Sequence, residues 1–238
     1  MLMHRPNSIE DERGTTLVEL LVAISAGLVI FFGLTMLVLA SMHNTTRVSN
    51  RVHTTQNART AVQAIVAELH SACMTRFLAP IQEGSSGTTL RFIHAYGSSV
   101  SPTPILSVIT LSGTTLKQSD YAVSSGSAPR WEFNTSTPTS SRALISGVGS
   151  PSSSTPIFSY YKFKSGQVEA ARVKGSGSGE SLVAEQAEEV SKVNVAVKAS
   201  PPGTTVADAN GAATVQDSAL LRFTPPVYST TAANLPCE

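Results

Sequence analysis

Residues 13–40 read RGTTLVELLVAISAGLVIFFGLTMLVLA. A charged leader ends at Arg13-Gly14, and an apolar run begins that holds one charge, Glu19. From Leu17 to Ala40 the run is long enough for a helix to cross a bilayer, which takes about 20 residues. Hydrocarbon penalises a lone carboxylate by roughly 2.5–3.5 kcal/mol at mid-membrane, so a carboxylate kept there has a partner and a task. The leader, with Arg5, Glu10, Asp11, Glu12 and Arg13, has no apolar centre of its own and is unlike an ordinary secretory signal. Any cleavage must precede the apolar run, which would stay in the mature chain as an anchor. Ser25, Ala26, Gly27 and Gly33 are small residues of the kind that let membrane helices approach one another.

The run does not end in a turn. Residues 41–77 contain no Pro, and no Gly follows Gly33 until Gly84. Ala58, Val62, Ile65, Leu69 and Ala72 recur at spacings of four and three, one face of an amphipathic helix. Gln56, Arg59, Thr60, Gln63 and Glu68 are expected largely off that face. The pattern predicts one helix from about residue 16 to about residue 77, on the order of 90 Å at 1.5 Å per residue. Pro80 and Gly84-Ser85-Ser86-Gly87 close it.

Beyond Gly84, Ser, Thr, Gly and Pro punctuate short runs of β-type residues. Expected strands are Thr89–His94, Ile105–Leu111, Trp131–Asn134, Ile157–Phe163, Gln167–Val173, Lys192–Val197 and Ala219–Phe223. Residues 182–191 fit either a short helix or the entry to a strand. The fold class expected is α+β, a long amino-terminal helix packed on an antiparallel β-domain. The division is 1–14 leader, 15–40 membrane and assembly helix, 41–79 amphipathic extension, and 80–238 an extracytoplasmic β-rich domain.

The spacing Gly14, Thr15-Thr16-Leu17-Val18-Glu19 resembles the processing site of type IV prepilins and type II secretion pseudopilins, whose motif is a Gly followed by an apolar segment with Glu at its fifth position. Ala58–Cys73, ARTAVQAIVAELHSAC, is similar to the segment at this place in larger minor pilins and J-type pseudopilins. The resemblance is specific over residues 13–40, supportive to residue 77, and weak beyond. It implies cleavage after Gly14 by a membrane prepilin peptidase. The new amino-terminus would be Thr15, where many members have Phe, a departure that bears on methylation. It also implies that Glu19 pairs with a neighbour's amino-terminal amine on entering a filament. The alternative is that Glu19 stabilises only its own helix start. Implied partners are other pilin or pseudopilin subunits, the peptidase and the inner-membrane assembly platform, with the leader facing the cytoplasm. The basic residues argue the other way: two arginines precede the span, while Arg47, Arg51 and Arg59 follow it.

Cys73 and Cys237 are a candidate disulfide if the domain lies outside the cytoplasm; otherwise they are two thiols, Cys73 packed as a small hydrophobe. Net charge is +1, and +2 without residues 1–14, which does not indicate a nucleic-acid partner. Arg130-Trp131 and Tyr160–Lys164 mix aromatics and cations, a base-stacking composition that strands also use. His43, His53, His70 and His94 lack metal spacing. Asp208–Gly211 with Asp217 only faintly matches a calcium loop, because Val206 stands where its first acid belongs. No catalytic constellation, cofactor site or metal site is expected, and the chain is not expected to be an enzyme. The function expected is a minor pilin or pseudopilin; the rival is a membrane-anchored extracellular binding module with no filament role.

Overall fold

A computed structural model describes residues 16–95, 103–163, 171–201, 212–221 and 237. The chain forms two compact units, divided between Val48 and Ser49. Helix α1, Leu17–His70, begins in the first and ends in the second.

In the first unit α1 is largely apolar, and every residue from Thr16 to Val48 is exposed. Leu17, Val29, Phe31, Phe32 and Leu37 each leave more than 60% of their surface uncovered. Covering such side chains is worth about 1.5–3 kcal/mol apiece. By length and composition the stretch can cross a membrane. Its hydroxyls suit that medium: Ser25 donates to Val22 O at 2.9 Å and Thr35 to Phe31 O at 2.8 Å, so neither needs water.

In the second unit the expected face of α1 is the buried one. Ala58, Val62, Ile65 and Leu69 are at most 1% exposed and enter the main core. Ala72 is packed at its margin. Around them lie two antiparallel sheets. The first holds β1 (Thr89–His94), β2 (Ile105–Ser112), β3 (Thr115–Ser127), β4 (Arg130–Phe133) and β5 (Ser140–Ser146). It runs β1-β2-β3, and the far side of β3 is shared between β5, over Thr115–Asp120, and β4, over Val123–Ser127.

The second sheet holds β6 (Val148–Gly149), β7 (Phe158–Lys162), β8 (Ala171–Val173), β9 (Lys192–Ala199) and β10 (Ala213–Leu220), in the order β10-β9-β7-β8 with β6 also on β9. Val193, Val195 and Val197 project from β9 into the core. Gly147 joins β5 to β6 and carries the strand from one sheet to the other. Its φ of +72° suits Gly, and a Cβ there would sit 3.2 Å from Ser200 O.

Several expectations need correction. The helix ends at His70, not near residue 77, although no Pro or Gly stops it. The next residues instead cover the free edge of β1: Ala72 pairs with His94, Ile81 with Phe92, and Cys73 N–H reaches Ile93 O at 3.0 Å. An uncovered edge is a liability, and this pairing outweighs another helical turn. Strands β3 and β5 were not expected. Residues 182–191 resolve into a short helix α2, Ala184–Glu188. Parts of two expected strands, 167–170 and 222–223, lie outside the described residues, as does Asp208–Gly211.

Candidate functional site

The first turn of α1 carries the sequence's chief candidate. Glu19 is exposed on the helix surface, and its N–H donates to Thr16 Oγ1 at 3.3 Å. Thr16 is therefore the helix cap and Glu19 the third helical residue, the first half of a capping box. Sequence reasoning missed this role for Thr16, although Thr16-Leu17-Val18-Glu19 has the T-x-x-E form that signals it. A carboxylate in the first turn also faces the positive end of the helix dipole. Between Thr16 and Thr46 there is no Lys or Arg, so α1 offers Glu19 neither until Arg47, nearly eight turns on. Gly14 and Thr15 lie outside the described residues.

The cysteines are brought together. Cys73 and Cys237 form a disulfide with Cα atoms 5.7 Å apart, both buried beside Ile93 and Leu106. Cys237 is held further by its backbone: its N–H reaches Met74 O at 3.3 Å, and its carbonyl accepts from Trp131 Nε1 at 3.0 Å. Arg130 lies 4.2 Å from the Phe77 ring centre. Both members of the Arg130-Trp131 pair are thus engaged within the domain. Tyr160 is buried, and its hydroxyl lies 3.0 Å from Ser86 O and 2.9 Å from Thr89 O.

A polar cluster that the sequence did not announce joins the end of α1 to the first sheet. Gln118 Nε2 donates to Glu68 at 2.8 Å and to Asp120 at 2.9 Å, bridging two carboxylates. Arg142 closes the ring, donating to Glu68 at 2.5 Å and to Gln118 Oε1 at 2.9 Å. Glu68, expected off the packed face, is drawn in by these partners. Burial pushes its carboxyl above the ordinary value, against the pull of Arg142 and Gln118. Burial also raises Asp120, but hydrogen bonds from Ser107, Gln118 and Ser140 and the nearby His94 outweigh it and leave it below its ordinary value.

His94, Ser107 and Asp120 have the composition of a hydrolase triad but the wrong order. Ser107 Oγ gives its proton to Asp120 at 2.6 Å, so His94 Nε2, 2.8 Å away, donates to the serine. A nucleophilic serine would give its proton to the imidazole instead. His94 and Ser107 are also 2% and 0% exposed, which closes them to substrate. Burial lowers the imidazole's pKa, with Asp120 opposing. The cluster is a brace. Among the described residues no group of three or more His, Cys, Asp or Glu is placed to hold a metal ion.

Comparison of the chain with protein-family models, with curated proteins and with solved structures finds no match in any of the three.

Proposed function

We propose that this chain is a minor pilin or pseudopilin, cut after Gly14, anchored by residues 17–40 and assembled into a filament through α1. The observation that carries the reading is Glu19: one carboxylate, in the first turn of an otherwise apolar exposed helix that continues into the core of a β-rich unit. A plain anchor has no use for a charge there. Cleavage would create a cation at Thr15, and in assembly the amine of a neighbouring subunit answers Glu19. Breaking such a pair in a low-dielectric setting costs about 3–5 kcal/mol, some hundredfold or more in subunit addition. Methylation of the amine would keep its charge. The size of the β-rich unit suits a tip or priming subunit better than a close-packed shaft.

The disulfide supports the orientation that this function requires. A Cys73–Cys237 bond is at home in an oxidising compartment, which supports a reading with the unit from Ser49 onward outside the cytoplasm and the leader within.

Two measurements test the proposal. Protein isolated from host membranes should begin at Thr15 by intact mass and amino-terminal sequencing. A chain still beginning at Met1, in cells with active prepilin peptidase, leaves a tethered binding module and sinks the filament reading. In processed chains, Glu19→Ala should abolish recovery with sheared filaments, and normal incorporation would rule out the register role of Glu19.

A further inference from the structure

Lys174-Gly175-Ser176-Gly177-Ser178-Gly179 has the composition of a flexible linker. The fold holds it fast instead. Gly177 N–H donates to Ser181 O at 2.8 Å. Gln186 of α2 ties the loop twice: its Oε1 accepts from Ser176 N–H at 3.1 Å, and its Nε2 donates to Lys174 O at 3.1 Å. The loop folds back so closely that a Cβ on Gly175 would sit 2.1 Å from Glu180 O. Glu180 itself takes a φ of +59°, uncommon for a residue with a side chain. Backbone held in such conformations gathers at functional sites.

The loop borders a cleft of about 380 Å³, within the size range of small-molecule sites. Phe158 and Tyr160 point from β7 into the core, so Ser159 between them points the other way. Arg172 faces Tyr161 across the β7–β8 ladder, which puts its side chain on the same side as Ser159. Ser159 lines the cleft and is only 5% exposed, yet its hydroxyl has no hydrogen-bond partner among the described residues. Arg172 is exposed and has no partner among them either. Lys174 stands 3.6 Å from Glu180 with both side chains largely exposed, an ion pair of small worth that leaves the ammonium with donors to spare.

The charged groups of the cleft are Arg172, Lys174 and Glu180. Two cations against one carboxylate leave a single net positive charge, which suits a monoanion rather than a phosphate dianion. The planar fork of Arg172 matches a carboxylate. Ser153 and Ser159 can exchange hydrogen bonds with ligand hydroxyls, and Pro156, Val173 and Leu182 offer a small apolar surface to the C–H groups of a ring. Phe158 and Tyr160, 1% and 4% exposed, present no open ring, which disfavours a nucleobase.

We infer that this cleft binds a carboxylated sugar of the uronic acid class, its carboxylate held by Arg172 and Lys174 and its hydroxyls by Ser159 and Ser153. The site lies wholly within the second unit. It goes beyond the filament reading and does not rest on it, because chains cut after Gly14 and chains left whole carry the same cleft.

The test is titration calorimetry of the full-length chain in detergent micelles at pH 7, with disaccharides of glucuronic, galacturonic and mannuronic acid as probes. At least one should bind ten times more tightly than its uncharged hexose counterpart, and ten times more tightly than acetate or methyl phosphate. Arg172→Gln should weaken that binding tenfold or more, and Ser159→Ala about threefold. Lys117→Gln, an exposed lysine of β3 away from the cleft, should leave it unchanged. Trp131 emission and melting point identical to the parent's show that each variant is folded. Three acidic disaccharides that bind no better than their neutral counterparts overturn the inference. So does methyl phosphate or acetate binding as tightly as the best of them, or a folded Arg172→Gln chain that binds like the parent.

Discussion

Replacing both Cys73 and Cys237 with Ala tests how the end of the chain is tied to the end of α1. The bond spans 164 residues. Chain-entropy arguments give a cross-link of that span a ceiling of about 5 kcal/mol, and native disulfides typically contribute about 2–5. The two other attachments of Cys237, to Met74 O and from Trp131 Nε1, use its backbone and outlast the substitution. Each contributes only about 0.5–1.5 kcal/mol, too little to hold a freed tail against its regained entropy. The double variant should therefore melt lower by on the order of 10 °C. Trp131 is the only tryptophan and touches Cys237 itself, so its fluorescence reports the tail directly. In detergent micelles its emission should already be red-shifted at temperatures where the variant is still folded. A melting point within about 2 °C of the parent, with unchanged emission, would show that the tail is held without the bond and refute the reasoning.

His94 is buried with its pKa lowered from 6.5, so as pH falls below that value the unfolded chain takes up a proton that the folded chain resists, and stability declines. The urea midpoint should be lower at pH 5.5 than at pH 7.5, and His94→Gln, which keeps a donor towards Ser107, should flatten that slope. Glu68 runs the other way: its folded pKa is raised from 4.5, so acidification through the folded value favours the folded chain, and Glu68→Gln should remove that gain. Leu69→Ala, at 1% exposure in the core, should cost about 2–5 kcal/mol by denaturant unfolding, while Val52→Ala, at 47%, should cost under about 0.5. Gly147→Ala forces a side chain to φ +72° and towards Ser200 O, and should destabilise by roughly 1–2 kcal/mol in the same assay.

What the sequence made legible follows from range. Strand β1 was read correctly from Thr89–His94, and the face Ala58-Val62-Ile65-Leu69 became core, because periodicity is written in the residues themselves. The helix end was hidden because it is set by β1, some twenty residues later, which needs an edge partner. Strands β3 and β5 escaped because Lys117-Gln118-Ser119-Asp120 and Ser140-Ser141-Arg142 are polar, and their strand character comes from pairing with each other. The brace was hidden for the same reason: Gln118 is 50 residues from Glu68, and Arg142 is 74. Glu19 was visible as the only charge in an apolar run. Thr16 was equally visible, three residues before Glu19 in the T-x-x-E spacing of a capping box.

Two physical signals disagree about which way a membrane-spanning α1 would be oriented, and their sizes favour the orientation the proposed function requires. Two arginines precede the span and three follow it, an excess of one that places the β-rich unit in the cytoplasm. The attraction of a basic side chain to an anionic leaflet is about 1 kcal/mol, so the bias is small. Against it stands a buried disulfide that joins the end of α1 to the penultimate residue. In a reducing compartment that bond would be lost, and with it up to about 5 kcal/mol of the unit's stability. Natural domains stand only about 5–15 kcal/mol above unfolding. The charge excess biases an insertion event once; the disulfide bears on the folded unit for as long as it exists. Under the proposed function, the orientation that keeps the bond is also the one that would put the leader on the side where a prepilin peptidase acts.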